Sequence, residues 1–334
     1  MRYQATLLFA LVLLWSPLCL AKGTISSTGD KSSKTASTKV DKRHFSFPKE
    51  YPLGSLQMMG NEKAGTDHNG DGIGTAQGSV TVDVPLGATI MLDINPHCLE
   101  HPERLKNIQT AGIDRLKIAY LSMDDNDHSL CDKALQALPE FKDLISLNVE
   151  RSDTTDKGLA GFKSLSSVKY LTAFGAAIDG SFLKETQKLK KLERCNLMFN
   201  PLKGENFKYL SSLPNLVELV LNQSNLSDDD LKNLPKCSQL KQLLLLDNSK
   251  ITDKSLPVLR QQTTLDILDI RGTGISLAGA LTLKNLKLTK LILPVRRYRP
   301  DEIAELTKAF PKTFLDYRGN GVKREDQMLL APLK

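Results

Sequence analysis

From residue 144 to the low 290s, the apolar residues of this 334-residue chain fall at the first, fourth and sixth places of a repeating unit. The units open "LISLNV" at Leu144, "VKYLTA" at Val168, "LERCNL" at Leu192, "LVELVL" at Leu216, "LKQLLL" at Leu240, "LDILDI" at Leu265 and "LTKLIL" at Leu288, with spacings of 24, 24, 24, 24, 25 and 23 residues. A looser copy is read as "IAYLSM" at Ile118, and a partial one, "FLDY", begins at Phe314. Alternation of apolar and polar side chains predicts a turn into a short strand at the head of each unit. Ten places on, another apolar residue recurs at Ile178, Leu202, Leu226 and Ile275, and at Ile251 after one inserted residue. Ser, Thr or Asp often follows, as in "LSDDDL", "ITDKSL" and the related "TTDKGL". Such residues accept from the free N–H groups of a helix's first turn, so each unit reads as strand, turn and short helix.

One such unit cannot bury its own apolar face, whereas a stack shares a continuous core. The pattern resembles the leucine-rich repeat, and the 24-residue unit with its "ITD" or "TDKGL" signature is similar to exported bacterial, planctomycete-like members of that family. The resemblance covers residues 118–317. It implies an α/β fold: a right-handed leucine-rich repeat solenoid of about seven or eight repeats, with a partner-binding surface on its concave sheet. Two departures stand out. Cys195 replaces a core leucine, and the polar place after each strand reads Ser152, Ala176, Asn200, Ser224, Asn248 and Thr273 instead of a regular asparagine ladder.

Before the repeats the texture changes. "HFSFPKEYPLGSLQMM", "GSVTVDV" and "GATIMLDI" alternate at period two, which predicts a small β-unit over residues 44–95 followed by a capping segment at 96–117. The "FPKEYPLGSL" and "AQGSVTVDVPLGATIMLDI" segments are similar to a leader that precedes the repeats in some of those bacterial proteins.

Further upstream, residues 1–21 have the charged, apolar and small-residue order of a secretory signal peptide, with cleavage expected after Ala21. The apolar run is too short for an ordinary membrane span, and no integral span is expected after cleavage. The expected location is therefore secreted, or periplasmic and cell-envelope. Residues 22–43 are basic and rich in Ser, Thr and Lys; they read as a disordered tether suited to weak contact with anionic envelope polymers. Residues 318–334 form a C-terminal tail.

Charge follows this division. Removing Arg2 and the tether's net +4 from the chain's +7 leaves +2 for residues 44–334. A near-neutral body lacks the electrostatic footprint of a nucleic-acid binder, so no nucleic-acid partner is expected.

Catalytic motifs are missing from the sequence. No serine elbow, zinc-protease helix or phosphate-binding loop appears, and no cofactor is expected. The four cysteines downstream of Cys19 carry more information. Cys98 and Cys131 fall where the β-unit meets the first repeats, and in an oxidising compartment they are expected to pair. A competing grouping places His97, Cys98, His101, His128 and Cys131 around zinc. Cys195 and Cys237 read as buried thiols.

In "TDHNGDGIGT", Asp67, Asn69 and Asp71 followed by Gly72 open like a calcium loop. Gly78 at the twelfth place, where a bidentate glutamate belongs, favours a β-connection.

If places one, four and six point inward, places three, five and seven line the concave sheet. The residues read as partner-binding there are Tyr170, Phe174, Arg194, Met198, Glu218, Val220, Leu244, Leu246, Ile267 and Arg271. Apolar side chains would be desolvated by a protein or peptide, and the charges would orient it. The leading expectation is a non-enzymatic exported protein that binds a protein or peptide. A structural envelope protein without a groove ligand is the alternative, and a motif-less hydrolase or metal enzyme comes third.

Overall fold

A computed structural model describes residues 40–60, 70–121, 129–294 and 298–317. Its spine is a 12-stranded sheet. Two strands at one end, β2 (Gly54–Met59) and β3 (Asp71–Thr75), run antiparallel and cover the edge of β5 (Thr89–Ile94). From β5 onward every pairing is parallel: β6 (Arg115–Lys117), β7 (Ser146–Asn148), β8 (Tyr170–Thr172), β9 (Arg194–Asn196), β10 (Glu218–Val220), β11 (Gln242–Leu244), β12 (Ile267–Asp269), β13 (Lys290–Ile292) and β14 (Phe314–Asp316). One three-residue strand per repeat, each followed by a turn and a short helix, is a leucine-rich repeat solenoid.

Register corrects two boundaries read from the sequence. Leu116 pairs with Leu147, so the repeat placed at Ile118 begins at Ile113, with Ile113, Leu116 and Ile118 all fully buried. Met91 pairs with Arg115 at the regular 24-residue interval, so β5 and the segment read as a cap form repeats themselves. The interval from Arg115 to Ser146 is seven residues longer, which is what threw the alignment. The tether also ends earlier than expected. Strand β1 (Val40–Ser46) pairs antiparallel with β4 (Ser79–Pro85), drawing Val40–Arg43 out of the stretch read as disordered. Arg43 Nη1 is anchored on the carbonyl of Gly112 at 2.7 Å and on the carboxylate of Asp114.

The core follows the predicted places. Leu144, Leu147 and Val149, and their equivalents in each repeat, are buried, as are Ile178, Leu202, Leu226, Ile251 and Ile275. Cys195 fills its leucine place with 1% exposure. Side-chain caps open most helices: Thr155 for α3 (Asp156–Gly161), Ser227 for α4 (Asp228–Leu231) and Ser276 for α6 (Leu277–Leu281). The other helices are α1 (Pro96–Glu100), α2 (Leu130–Ala137), α5 (Leu256–Gln261) and α7 (Pro300–Ala309), the last of which brings Leu306 and Phe310 into the final turn of core.

Two polar ladders tie consecutive repeats. On the helix side, an aspartate of one repeat accepts from the start of the next. Thr155 N donates to Asp132 at 2.8 Å, Asp179 N to Asp156 at 2.7 Å, Thr252 N to Asp228 at 2.8 Å and Ser276 N to Asp253 at 2.9 Å. Close approach there requires glycine: a Cβ on Gly158 would run into Asp132, and one on Gly279 into Asp253. After each strand runs the second ladder. Asn248 is fully buried; its Nδ2 donates to Leu221 O at 2.9 Å and Leu245 O at 3.0 Å, and its Oδ1 accepts from Ser224 N and Leu226 N. Asn200 repeats the device one pair of repeats earlier, while Ser152 and Thr273 bond within their own repeat, to Val149 O and Thr154 and to Ile270 O and Ile275 N.

Replacing Asn248 by Ala leaves at least two N–H and two C=O groups without that partner, at about 1–3 kcal/mol for each buried group left unsatisfied. The expected loss is about 3–5 kcal/mol after partial relaxation, measured by chemical denaturation; a loss below about 1 kcal/mol would contradict the ladder's role.

Candidate functional site

The sheet has one face packed on the core and one open face, on which the third and fifth places form two parallel rows. Where β10 to β13 lie side by side, Val220, Leu244, Ile267 and Ile292 make a second apolar cluster, separate from the core, with Met198 against it. These residues were expected to be exposed, and three of the four belong to or adjoin the predicted site. Val220 is instead 7% exposed, Leu244 3% and Ile267 8%. Strands about 4.8 Å apart place such side chains shoulder to shoulder, so they cover one another. A partner would gain little by desolvating them; they stabilise the sheet. Leu246 is half-buried beside them.

The charged members of the site are already paired. Arg271 clamps buried Asp269 through Nε at 3.0 Å and Nη2 at 2.6 Å. Arg194 faces Glu218 at 3.7 Å, Lys117 faces Glu150 at 3.3 Å and Lys290 faces Asp316 at 3.6 Å. Burial pushes the Glu218 carboxyl above its ordinary value, with Arg194 opposing the shift. Tyr170 lies under the Arg194 guanidinium at 5.9 Å and donates to Glu193 at 3.2 Å. Burial and the Glu193 carboxylate raise its phenol. Two amide atoms on this face, Asn148 Nδ2 and Gln242 Oε1, are buried without a hydrogen-bond partner.

Apolar surface is exposed where the chain leaves β8 and β9, as it is also at Leu86 and Phe314. Phe174 packs against Phe199 in a tilted arrangement, ring centroids 5.6 Å apart at 58°, and the guanidinium of Arg151 sits 5.5 Å from the Phe174 ring centre. Phe199 is 43% exposed and holds φ at +60°. It occupies the eighth place of its unit, where the chain turns left-handed in every repeat from β7 to β12: Arg151, Gly175, Phe199, Gln223, Asp247 and Gly272 have φ between +49° and +62°. That conformation costs a residue other than glycine about 1–2 kcal/mol. Neither Phe199 nor Arg151 was singled out from the sequence. The readable signal was Gly175, in the repeat between those two residues, and Gly272, three repeats after Phe199, at the same place, marking a left-handed turn that projects its side chain outward.

The expected disulfide is absent among the described residues. Cys98, Cys131, Cys195 and Cys237 are all free and buried. Cys98 Sγ donates to Pro52 O at 3.4 Å and Cys131 Sγ to Tyr120 O at 3.5 Å, so the two thiols face different segments. Burial raises all four thiols, that of Cys195 to about 12 and that of Cys237 to about 11. The same geometry removes both sulfurs from the zinc grouping, of which His128 lies outside the described residues. Of the calcium-loop residues, Asp67 and Asn69 also lie outside them, and Asp71 is exposed at the start of β3.

No family model matches the chain, and no curated protein does. Among solved structures it is similar to an internalin of Listeria monocytogenes, at 18% identity and a TM-score of 0.41, covering 66% of this chain and 71% of that one. A leucine-rich repeat protein of Leptospira interrogans is 18% identical with a TM-score of 0.39, covering 72% and 68%. The third, a TLR13 chain solved in complex with a single-stranded RNA, is 18% identical with a TM-score of 0.42, covering 67% of this chain and 35% of its own. The fold assignment rests on the strand ladder described above.

Two outcomes follow. Native protein should resist thiol alkylation, whereas unfolding without reductant should expose the four described thiols to the reagent; mass spectrometry showing Cys98 and Cys131 protected only until reduction would restore the disulfide. Because the native Glu218 carboxyl is raised above its ordinary 4.5, its ionisation withdraws stability as pH rises from about 4.5 through the native value. Glu218→Gln should flatten the decline in stability over that window; an unchanged pH profile from urea titrations would contradict the assignment.

Proposed function

We propose that this chain is a non-catalytic binding protein that takes a protein or peptide along the rim of its open sheet face, centred on Phe174 and Phe199 and flanked by Arg151, Met198, Arg194 and Tyr170. The observation that carries the proposal is Phe199: a large apolar side chain, substantially exposed, held at a backbone angle that glycine occupies in two sister repeats. Strain and exposure both work against stability, and residues that combine them concentrate at binding sites. Two aromatic rings in tilted contact, with an arginine over one of them, have the composition of an interface hot spot.

Protein is favoured over nucleic acid by the state of the cations. Arg194, Arg271, Lys117 and Lys290 each face a carboxylate on the same sheet face, whereas binding a phosphate backbone requires cations available to replace counterions. Export to the envelope or medium is part of the proposal and is supported by the order of residues 1–21; a mature chain beginning at Lys22 would bear it out. The alternative, an envelope protein without a specific ligand, draws support from the internal pairing of those same charges.

The test separates stability from capture. Crosslinking in the native compartment identifies the bound chain, and Phe199→Gly is then compared with wild type. Relief of the left-handed strain should leave thermal stability unchanged or higher, while affinity for the identified partner falls about 30-fold, the scale of a hot spot of ~2 kcal/mol. Full retention of affinity would remove the rim from the interface, and absence of any saturable partner would favour the structural reading.

A further inference from the structure

We infer that the outer side of α1 carries a zinc-class metal site formed by His97, Glu100 and His101. This is separate from the aromatic rim in both position and chemistry. The observation is a convergence of donors: one ligand atom from each of the three side chains lies within 4.8 Å of the other two. His97 and Glu100, three residues apart, project from the same side of α1, and His101 follows directly as the residue that caps the helix at its C-terminus. Asn95 accepts from His97 N at 3.0 Å and Pro96 occupies the first turn, so the segment is fixed as a helix although it is only five residues long.

The donor set is chemically selective. Two imidazoles and one carboxylate suit Zn²⁺ and related borderline divalent ions, whereas calcium and magnesium prefer oxygen throughout. Tetrahedral zinc with bonds of about 2.0–2.1 Å brings its donor atoms to roughly 3.3 Å from one another. The three groups must therefore draw together by about 1.5 Å at most. His97, Glu100 and His101 are 61%, 52% and 42% exposed at their side chains, which leaves them free to make that rotation.

The rings are already arranged as a pair, with centroids 5.1 Å apart at 74°. His101 Nδ1 lies 3.2 Å from Glu103 Oε1, an outer carboxylate that would orient the ring and leave Nε2 for the ion. Cys98, between the two histidines in sequence, is 1% exposed with its thiol turned inward to Pro52 O, so sulfur has no part in the site. The order His-x-x-Glu-His at residues 97–101, which was not singled out from the sequence, also serves metal-dependent hydrolases. On the exposed side of a short helix, with nothing among the described residues enclosing a substrate, it assigns ion binding with at least one coordination position left to solvent or to a donor from another chain.

The experiment titrates zinc, and separately cobalt(II), into the purified full chain carrying no polyhistidine tag. One equivalent of zinc should bind, followed by calorimetry. His101→Ala and His97→Ala should each weaken it at least ~10-fold, and Glu103→Gln about 10-fold through its hold on His101. Cys98→Ala should bind as wild type does. The cobalt complex should show d–d bands of nitrogen and oxygen ligation without thiolate charge transfer. Circular dichroism and thermal melts confirm that each variant is folded, which the exposure of the three ligands predicts. No binding at millimolar zinc, binding insensitive to both histidine variants, or a thiolate band in the cobalt complex would each overturn the assignment.

Discussion

From β6 to β14 every strand of the parallel stack is three residues long, and a strand of that length cannot satisfy its own backbone or hide its own side chains. What holds the protein together is therefore the seam between neighbouring repeats. Two kinds of side chain close it, working in opposite directions along the chain. Aspartates such as Asp132 and Asp228 reach forward to the helix start of the next repeat, while Asn200 and Asn248 reach back to seal the turn of the repeat before. Stability in such an array is close to a sum of nearest-neighbour terms, so each seam matters locally. The ends, where one neighbour is missing, are closed differently: antiparallel β2 and β3 at one, helix α7 and strand β14 at the other.

Much of this was legible in the sequence because it depends on spacing. A constant interval near 24 residues specifies which leucines face inward, and Ser or Thr before an acidic residue marks the helix starts at Thr155, Ser227 and Thr252. What failed to show was whatever depends on contacts between units. A seven-residue lengthening between Arg115 and Ser146 moved the apparent first repeat to Ile118 and hid the two rungs before β7. Val220 and Leu244 read as exposed because alternation places them on the open face; their burial arises from neighbouring strands, which alternation within one strand cannot reveal. Cys98 and Cys131 lie on adjacent elements in an expected oxidising setting, yet a disulfide needs both sulfurs aimed at each other, and each is aimed at a different backbone carbonyl.

The candidate site was legible in part for a related reason. Tyr170, Phe174, Arg194 and Met198 follow from the strand period, and the structure places them on one stretch of the open face. Phe199 does not follow from it, since the eighth place lies beyond the strand and its outward direction comes from a left-handed turn. Composition at that place varies from glycine to arginine to phenylalanine, so only the shared backbone angle unites it. The paired charges beside it give the face a patterned but nearly self-compensated field, a surface better suited to discriminating among proteins than to attracting a polyanion.

The opposed ladders also govern how the chain can change length. Where a seam joins an upstream aspartate to backbone N–H donors in the next turn, as at Asp132, Asp156, Asp228 and Asp253, a whole unit can be duplicated or excised wherever the two newly joined flanks still match, and the core would close over the junction. Part of a unit cannot, since every later leucine would rotate out of register. The segment Gly204–Ser212 opens with no side-chain cap of its own and instead takes Asp230 from the following repeat at Gly204 N, 3.1 Å away. The joint there runs in the opposite sense from the aspartate-first seams, which constrains the order of the repeats around Phe199.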